Sequence, residues 1–402
     1  MKDINNIRPL CLSFWTPPLV RPQSILIGKM IPEWLSQGLN PVIITYDVCG
    51  DWSIDLPIYK FSPYKINKYL AKIFPIRLFL RYFYFKKLFW QAKKIIKKHN
   101  INIVFSFSNP QESNILGAML KKKLGVKFIS HFSDPWYDNP YKFFSGLAGK
   151  KVLAQEKFVI KNSDKVIFTN EAAKDLVMKK YPENWTEKTG VVPHCFDLKD
   201  YPEAKKEDSD KFIISYIGAF YKKRNPEPLL QALQKIINKR PDFIRKFKIE
   251  LIGATNDYAG YNIKSIEDMA ARYGLKGNVE VIPPVSYKES LKCMKLSDCL
   301  VVIDADMSGS PFLPSKVVDY AGSGNNILGI TPKNSPTAQF IKDLGCKSFS
   351  YDQVDELAEY LQKLISGEIN IEINREFLNK YSVQNTTVKL IKQFNEVLNN
   401  SN

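Results

Sequence analysis

The sequence predicts an α/β protein built from two Rossmann-like, doubly wound parallel-sheet domains that face each other across a cleft. Short β-rich apolar runs alternate with longer helical patterns, and this plan occurs once in each half of the chain. The length of 402 residues also exceeds what one hydrophobic core usually holds, which is about 250–300 residues. Both observations favour two packed domains over one.

In the first half, short runs rich in β-branched and aromatic residues predict strands, and the segments between them carry helical apolar spacing. The predicted strands are 10–14, 41–46, 103–107, 127–131 and 165–169. The predicted helices are 26–37, 86–98, 111–123, 153–162 and 172–180.

The second half repeats the alternation, which predicts a second parallel sheet covered by helices. Its predicted strands are 212–218, 247–253, 279–282, 299–303 and 326–330. Its predicted helices are 226–238, 265–273, 287–295, 317–322 and 336–344, and a last helix follows at 386–398.

A charged run without apolar periodicity separates the halves and predicts a linker. The predicted organisation is an N-terminal domain at 1–197, a linker at 198–210 and a C-terminal domain at 211–385, followed by a helix at 386–402 that could return to the first domain.

Composition excludes several classes of protein. Aromatic residues make up 13% of the chain, which argues against intrinsic disorder. No run approaches the ~18–20 apolar residues of a transmembrane helix, and the first residues lack the pattern of a signal peptide, so we expect a cytoplasmic protein. The 6 cysteines are dispersed and only 3 histidines are present, so neither a disulfide framework nor a zinc site is expected.

The basic charge is concentrated in one segment of the first half. Residues 60–98 contain twelve Lys or Arg and no Asp or Glu, within a chain of formal net charge +17. Aromatic residues interleave with these charges, as in a surface helix that contacts an anionic membrane, here the inner face of the cytoplasmic membrane. A solvated basic face over an ordinary helical core is the alternative, and single-stranded nucleic acid a weaker one. The lysines expected to contact the membrane are Lys86, Lys87, Lys93 and Lys94.

A basic loop follows the first predicted strand of the second half, within residues 216–226. Gly218 lets the backbone approach a ligand, and Arg224, next to Lys223, can donate two hydrogen bonds to phosphate oxygens near a helix N-terminus. A solvated turn is the alternative interpretation.

A second motif, at 309–324, opens a helix near Ser315. The amides of Ser315 and Lys316 would form an anion site at its N-terminus, and Asp319, one turn later, could accept hydrogen bonds from the hydroxyls of a ribose. An ordinary helix cap above a buried Tyr320 is the alternative. With the first motif in the same half, the interpretation as a phosphate and ribose site is favoured.

These residues resemble a known family. The second half is similar to the donor-binding domain of the family 4 glycosyltransferases of the GT-B fold, the retaining group that builds bacterial surface polysaccharides and lipopolysaccharide. Arg224 falls at that family's diphosphate-binding Lys or Arg, and residues 314–320 (PSKVVDY) resemble its paired-acid signature, with Asp319 at the ribose-binding acid. The backbone at 282–285, including Pro284, is implied to flank the nucleotide base.

The first half carries further resemblance. Residues 131–136 resemble the family's D-x-W loop and residues 192–197 its hinge, which implies catalytic roles for His131 and Asp134, although a core position for His131 is as compatible with the sequence. The departures are Pro311 at the position of the first acid, Ala219 at the position of an Arg, residues 17–22 in place of a Gly-rich turn, and His194-Cys195 in the hinge.

The resemblance implies transfer of a sugar from a nucleoside diphosphate sugar to a hydroxyl of a glycan or lipid-linked acceptor, with retention and without metal or another cofactor. A nucleotide-sugar epimerase of the same fold is the alternative function, and a nucleic-acid-binding protein a weaker one, so no nucleic-acid partner is expected. Asp304 and Asp306 are spaced like the metal-binding D-x-D motif of a different glycosyltransferase fold, but the twice-built α/β pattern disagrees with that fold.

Overall fold

The computed structural model describes residues 6–65, 74–206, 210–221 and 223–399, without the side chains of residues 74, 75, 77 and 78. The chain divides into two compact units. The first is formed by Met1–Cys195 together with Val383–Asn402, and the second by Phe196–Ser382.

The first unit contains a seven-stranded parallel sheet of order β3-β2-β1-β4-β5-β6-β7. Strand β4 is buried along its whole length, as expected for a strand covered by helices on both faces. The strands are β1 Pro9–Leu12, β2 Val42–Tyr46, β3 Ile58–Phe61, β4 Ile103–Phe107, β5 Lys127–Phe132, β6 Lys165–Phe168 and β7 Thr189–Val191. The helices are α1 Pro22–Ser36, α2 Phe74–Lys98, α3 Glu112–Leu124, α4 Gly146–Asn162, α5 Glu171–Met178 and α6 Glu183–Thr186.

The second unit contains a six-stranded parallel sheet of order β10-β9-β8-β11-β12-β13. Its strands are β8 Phe212–Ile217, β9 Phe247–Ile252, β10 Val279–Ile282, β11 Cys299–Ile303, β12 Asn326–Ile330 and β13 Lys347–Phe349. Its helices are α7 Glu227–Lys239, α8 Ile263–Arg272, α9 Tyr287–Leu296, α10 Ser315–Gly322, α11 Pro336–Asp343, α12 Val354–Ile365 and α13 Arg375–Asn379. The last helix of the chain, α14 Val383–Asn399, packs on α1 of the first unit.

Two parallel, doubly wound sheets confirm the predicted fold class. The prediction missed three edge strands, β3, β7 and β13. They are only three or four residues long and partly exposed. Short edge strands lack the continuous apolar run that marks a buried strand. Helix α2 also begins at Phe74 rather than at residue 86, since basic residues interrupt the apolar pattern of its first turns.

The segment expected to be a linker is partly structured. Residues 198–200 form a short 3₁₀ helix, and the Tyr201 hydroxyl donates a hydrogen bond of 2.5 Å to the Asp319 carbonyl oxygen. Residues 196–206 therefore pack as part of the second unit.

Candidate active site

The order of strands in the second sheet reverses direction between β8 and β11: β9 and β10 lie on one side of β8, and β11, β12 and β13 lie on the other. This place is the topological switch point of the sheet. Ligands of doubly wound sheets bind beyond the carboxyl ends of the strands at such a point. Gly218 follows β8 with a φ of 129°, and Asp304 follows β11. This positive φ favours glycine, and a Cβ added there would lie in contact with Lys316 Nζ, at 3.5 Å.

Three charged side chains converge at this switch point. The Arg224 guanidinium lies 3.9 Å from Asp304 Oδ1, and Asp304 is buried. Lys316 Nζ lies 4.1 Å from the ring centroid of Tyr216. Nζ is itself buried and has no hydrogen-bond partner among the residues that the structure describes. An ammonium group in such a place lacks the acceptors that a bound anion would supply.

Burial shifts the protonation of this cluster. Desolvation lowers the pKa of Lys316 well below the usual lysine range, and the neighbouring Arg224 charge adds to that effect. Desolvation also raises the pKa of Asp304, while Arg224 and Lys316 oppose that rise. The cluster thus contains two basic groups and one acidic group, and an anionic ligand would favour the charged form of Lys316.

Three tyrosines fix the backbone around the charged cluster. Tyr351 donates a 2.6 Å hydrogen bond to the Asp304 carbonyl oxygen, and Tyr216 donates one of 3.1 Å to that of Ala219. The Tyr320 hydroxyl accepts from the Ile217 amide at 2.8 Å. The sequence also allowed an ordinary helix cap above a buried Tyr320. Tyr320 is indeed buried, and the charged cluster is present beside it.

Asp319 lies one turn into α10 and is buried. Its Oδ1 accepts a hydrogen bond of 3.3 Å from the Tyr287 hydroxyl. A ribose at this carboxylate would share it with Tyr287. The ribose-binding role of Asp319 stays a prediction.

The other residues predicted to bind the donor lie at the same carboxyl edge. Ser315 is the first residue of α10. Lys223, which precedes Arg224, is exposed, and the Lys223 carbonyl oxygen accepts a 2.9 Å hydrogen bond from the Asp306 amide. Pro284 follows β10, and its Cα would lie 3.5 Å from a Cβ added at Gly253. These positions are compatible with the predicted roles and do not test them.

In the first unit, the two predicted catalytic residues have different surroundings. The His131 ring is buried, with its centroid 5.4 Å from that of Phe107, and burial lowers the pKa of His131 to about 3. Asp134 lies in the loop after β5, where its Oδ2 accepts a 3.0 Å hydrogen bond from Asn109, and burial raises its pKa. His131 is therefore neutral near pH 7.

Sequence reasoning did not assign Asp304, Tyr216 or Tyr351 to the site. Asp304 had a signal, its place directly after a buried strand, but it was considered only as part of a D-x-D metal motif, which the predicted fold disfavoured. In the structure the charged neighbours of Asp304 are cations, Arg224 and Lys316. No group of three or more His, Cys, Asp or Glu in the described part of the chain could hold a metal ion.

Two family models match the chain, one in each half. The model of Glycosyltransferase Family 4 matches residues 28–200, and that of Glycosyl transferases group 1 matches residues 198–383. The second match contains every member of the charged cluster.

Curated relatives are distant and aligned in part. The D-inositol 3-phosphate glycosyltransferase of Corynebacterium kroppenstedtii is 20% identical over 46% of this chain and 46% of the relative. The putative colanic acid biosynthesis glycosyl transferase WcaI of Escherichia coli is 25% identical over 62% of this chain and 61% of the relative. The chain thus spans about half to three fifths of the length of these relatives.

The fold has solved counterparts. Anabaena HepE, crystallised in complex with UDP, superposes with a TM-score of 0.68 over 97% of this chain and 100% of its own, at 13% identity. The likeness at this identity concerns the fold, while the two family models concern the class of enzyme. Taken together, they show that this chain belongs to the glycosyltransferases of the GT-B fold.

Proposed function

We propose that this enzyme transfers a sugar from a nucleoside diphosphate sugar to a hydroxyl of a glycan or lipid-linked acceptor, with retention, during synthesis of a cell-surface polysaccharide. The observation that carries the donor class is the buried Lys316 Nζ beside Arg224, at the carboxyl edge of β8 and β11. A diphosphate would give the Lys316 ammonium its missing acceptors. HepE, which shares the fold, was crystallised with UDP and with UDP-glucose.

The chemistry follows from where negative charge grows during transfer. As the bond between the sugar and the diphosphate breaks, the sugar becomes oxocarbenium-like and the leaving diphosphate gains charge. Arg224, Lys316 and the amides at the start of α10 would stabilise that charge without a metal. The acceptor hydroxyl then attacks from the face that the diphosphate leaves, and a leaving-group phosphate oxygen takes its proton.

A screen of radiolabelled nucleotide sugars with membrane extracts as acceptor source tests this function. We expect one donor to give labelled glycan or glycolipid together with free nucleoside diphosphate. Conversion of a nucleotide sugar into its epimer, without transfer, would overturn the proposal in favour of the epimerase. Binding of an oligonucleotide with no response to UDP or GDP would overturn it as well.

The same proposal includes peripheral binding to the inner face of the cytoplasmic membrane through α2. Exposed aromatic side chains lie along this helix, including Phe79, Tyr82 and Trp90. Lys86, Lys87, Lys93 and Lys94 are exposed on it, whereas the predicted basic residues Lys68 and Lys72 and the Arg77 side chain lie outside what the structure describes. Exposed aromatics with lysines are the composition of an interfacial helix. No helix in the described ranges is long and apolar enough to cross a bilayer.

Reversing the four α2 lysines to glutamate is expected to weaken binding to anionic vesicles by about a hundredfold or more, because each lysine near such a surface contributes about 1 kcal/mol. Vesicle flotation measures this. The matched control reverses four exposed lysines of the second unit, Lys264, Lys276, Lys342 and Lys347, and so makes the same change in formal charge. Equal flotation of the two variants would contradict a specific role of α2.

A further inference from the structure

We propose that the loop at residues 139–147, here called the aromatic loop, inserts into an anionic bilayer as a second membrane contact beside the acceptor side of the first unit. The proposal rests on the proposed function, in that it assigns the enzyme a lipid-linked acceptor. It concerns residues separate from α2, from the charged cluster and from every residue that sequence reasoning singled out.

The aromatic loop exposes large apolar side chains to an unusual degree. Phe143 is 93% exposed and Leu147, in the first turn of α4, is 86% exposed. Single exposed apolar residues are ordinary, but two that are almost completely exposed four positions apart form a protruding apolar tip. Such a tip is stabilised only when something apolar covers it.

This exposure does not come from a loosely packed loop. Phe144, next to Phe143, is half-buried and stacks on Tyr137, with ring centroids 6.3 Å apart and planes 13° apart. A Cβ added at Gly149 would lie 3.1 Å from the Phe144 backbone, so the start of α4 is closely packed against the loop. The loop therefore has one side chain held by stacking on Tyr137, while its neighbour Phe143 is exposed.

The base of the loop is held by a buried carboxylate. Glu156 accepts a 2.8 Å hydrogen bond from the Tyr137 amide and another of 2.8 Å from the Tyr181 hydroxyl. Lys180 pairs with Glu156 at 2.9 Å and also with Asp138. Because the base is rigid, less conformational entropy is lost when the tip becomes ordered at a membrane surface.

The charge around the tip has one sign. From residue 139 to residue 155 the sequence contains three lysines, Lys142, Lys150 and Lys151, and no Asp or Glu. All three lysines are exposed. Apolar side chains at a tip with lysines behind them fit an anionic lipid surface, because the tip enters the acyl boundary while the lysines contact headgroups. A protein partner would need an apolar groove edged by acidic residues. An anionic bilayer supplies both the apolar interior and the negative surface.

The topology brings the aromatic loop to the same part of the first unit as α2. Helix α3 packs against both α2 and α4, so all three cover one face of the sheet. In a parallel sheet each connecting helix runs back antiparallel to the strands, so the N-termini of α2 and α4 lie at the carboxyl edge. The exposed Phe79 and Phe83 belong to the N-terminal half of α2, and Asp134 follows β5 at this same edge.

A membrane contact at this edge selects the class of acceptor. With the aromatic loop inserted, the loop that holds Asp134 lies close to the headgroup layer. An acceptor hydroxyl carried on a membrane lipid would meet the enzyme there, whereas a free glycan would have to be captured from solution. The geometry therefore favours a lipid-linked acceptor over a soluble one.

Flotation with vesicles containing about 30% phosphatidylglycerol tests the aromatic loop. The variant F143S/L147S removes the tip, K150E/K151E reverses two lysines behind it, and Y258S/I263S is the matched control, since Tyr258 and Ile263 are exposed apolar residues of the second unit. We expect F143S/L147S to reduce the vesicle partition coefficient about tenfold or more, at low salt and at about 0.5 M NaCl. K150E/K151E should reduce it at low salt, and Y258S/I263S should match the wild type.

UDP affinity, measured by calorimetry on the same proteins, separates this proposal from the proposed function. Unchanged UDP affinity in F143S/L147S with lost flotation supports the aromatic loop. Flotation of F143S/L147S equal to that of the wild type would overturn it, as would a wild type that does not float, and neither result depends on UDP. Failure of the wild type to bind UDP would instead contradict the proposed donor class.

Discussion

Replacing Arg224 by alanine is expected to reduce kcat/KM for the nucleotide-sugar donor by about 30- to 5,000-fold, which corresponds to about 2–5 kcal/mol for truncating one partner of a buried charge pair. Arg224 lies 3.9 Å from the buried Asp304, so its removal leaves that carboxylate with Lys316 as its neighbouring cation. The loss should appear in UDP affinity as well as in turnover, because the guanidinium would contact the diphosphate in both states. Steady-state kinetics and UDP titration measure the two effects.

Two control variants sharpen this test. Arg224→Lys keeps the charge and loses the planar pair of donors, so it should recover only part of the activity. Arg272→Ala removes an exposed arginine of the same unit and should leave kinetics unchanged. Near-normal kcat/KM in Arg224→Ala would show that the diphosphate binds elsewhere.

The fold could be predicted from sequence because its central strands carry a strong signal. Strands such as β4 and β11 are buried along their whole length and form continuous apolar runs. The edge strands β3 and β13 face solvent on part of their surface, and their mixed composition resembles that of a loop. The prediction also missed helix α12, although Leu357, Leu361 and Leu364 follow helical spacing. The sequence therefore contained the signal for this helix.

The site was less predictable, since its chemistry depends on which side chains share a buried volume. The positions of Arg224 and Lys316 followed from strand ends and a helix start, and the structure brings both close to Asp304. That Asp304 would lie beside two cations depends on β8 and β11 being neighbours in the sheet, a pairing that spacing along the chain does not reveal. Likewise, the burial of His131 depends on packing over β4 and β5.

Replacing Lys316 by methionine should have opposite effects on binding and on stability. The Lys316 amine is buried without a hydrogen-bond partner among the described residues, so an apolar side chain of similar length should leave the free energy of unfolding unchanged or raise it. UDP affinity should nevertheless fall about tenfold or more, because a charge-assisted hydrogen bond to phosphate is lost. Denaturant unfolding and calorimetry measure the two quantities.

Lys29→Met provides the contrast. Lys29 is also buried, but its Nζ donates a 2.6 Å hydrogen bond to the Cys195 carbonyl oxygen in the first unit. Methionine there removes a donor that the structure uses, so the free energy of unfolding should fall while UDP affinity stays unchanged. A Lys316→Met protein that behaved like Lys29→Met would identify Lys316 as a structural lysine.

The pH dependence gives Lys316 a further signature. The pKa of Lys316 in the folded protein lies well below the usual lysine value. Between these two pKa values the unfolded chain holds a proton that the folded protein lacks. The free energy of unfolding therefore rises with pH in that range. A bound diphosphate favours the ammonium form and raises the pKa of Lys316, so UDP binding should take up as much as one proton. UDP affinity should therefore fall as pH rises from the Lys316 pKa of the free protein to that of the complex. Calorimetry in buffers of different ionisation enthalpy measures the uptake, which Lys316→Met should abolish. Proton uptake that persists in Lys316→Met would have to come from another group, and Lys316 would then not be the residue that charges when the diphosphate binds.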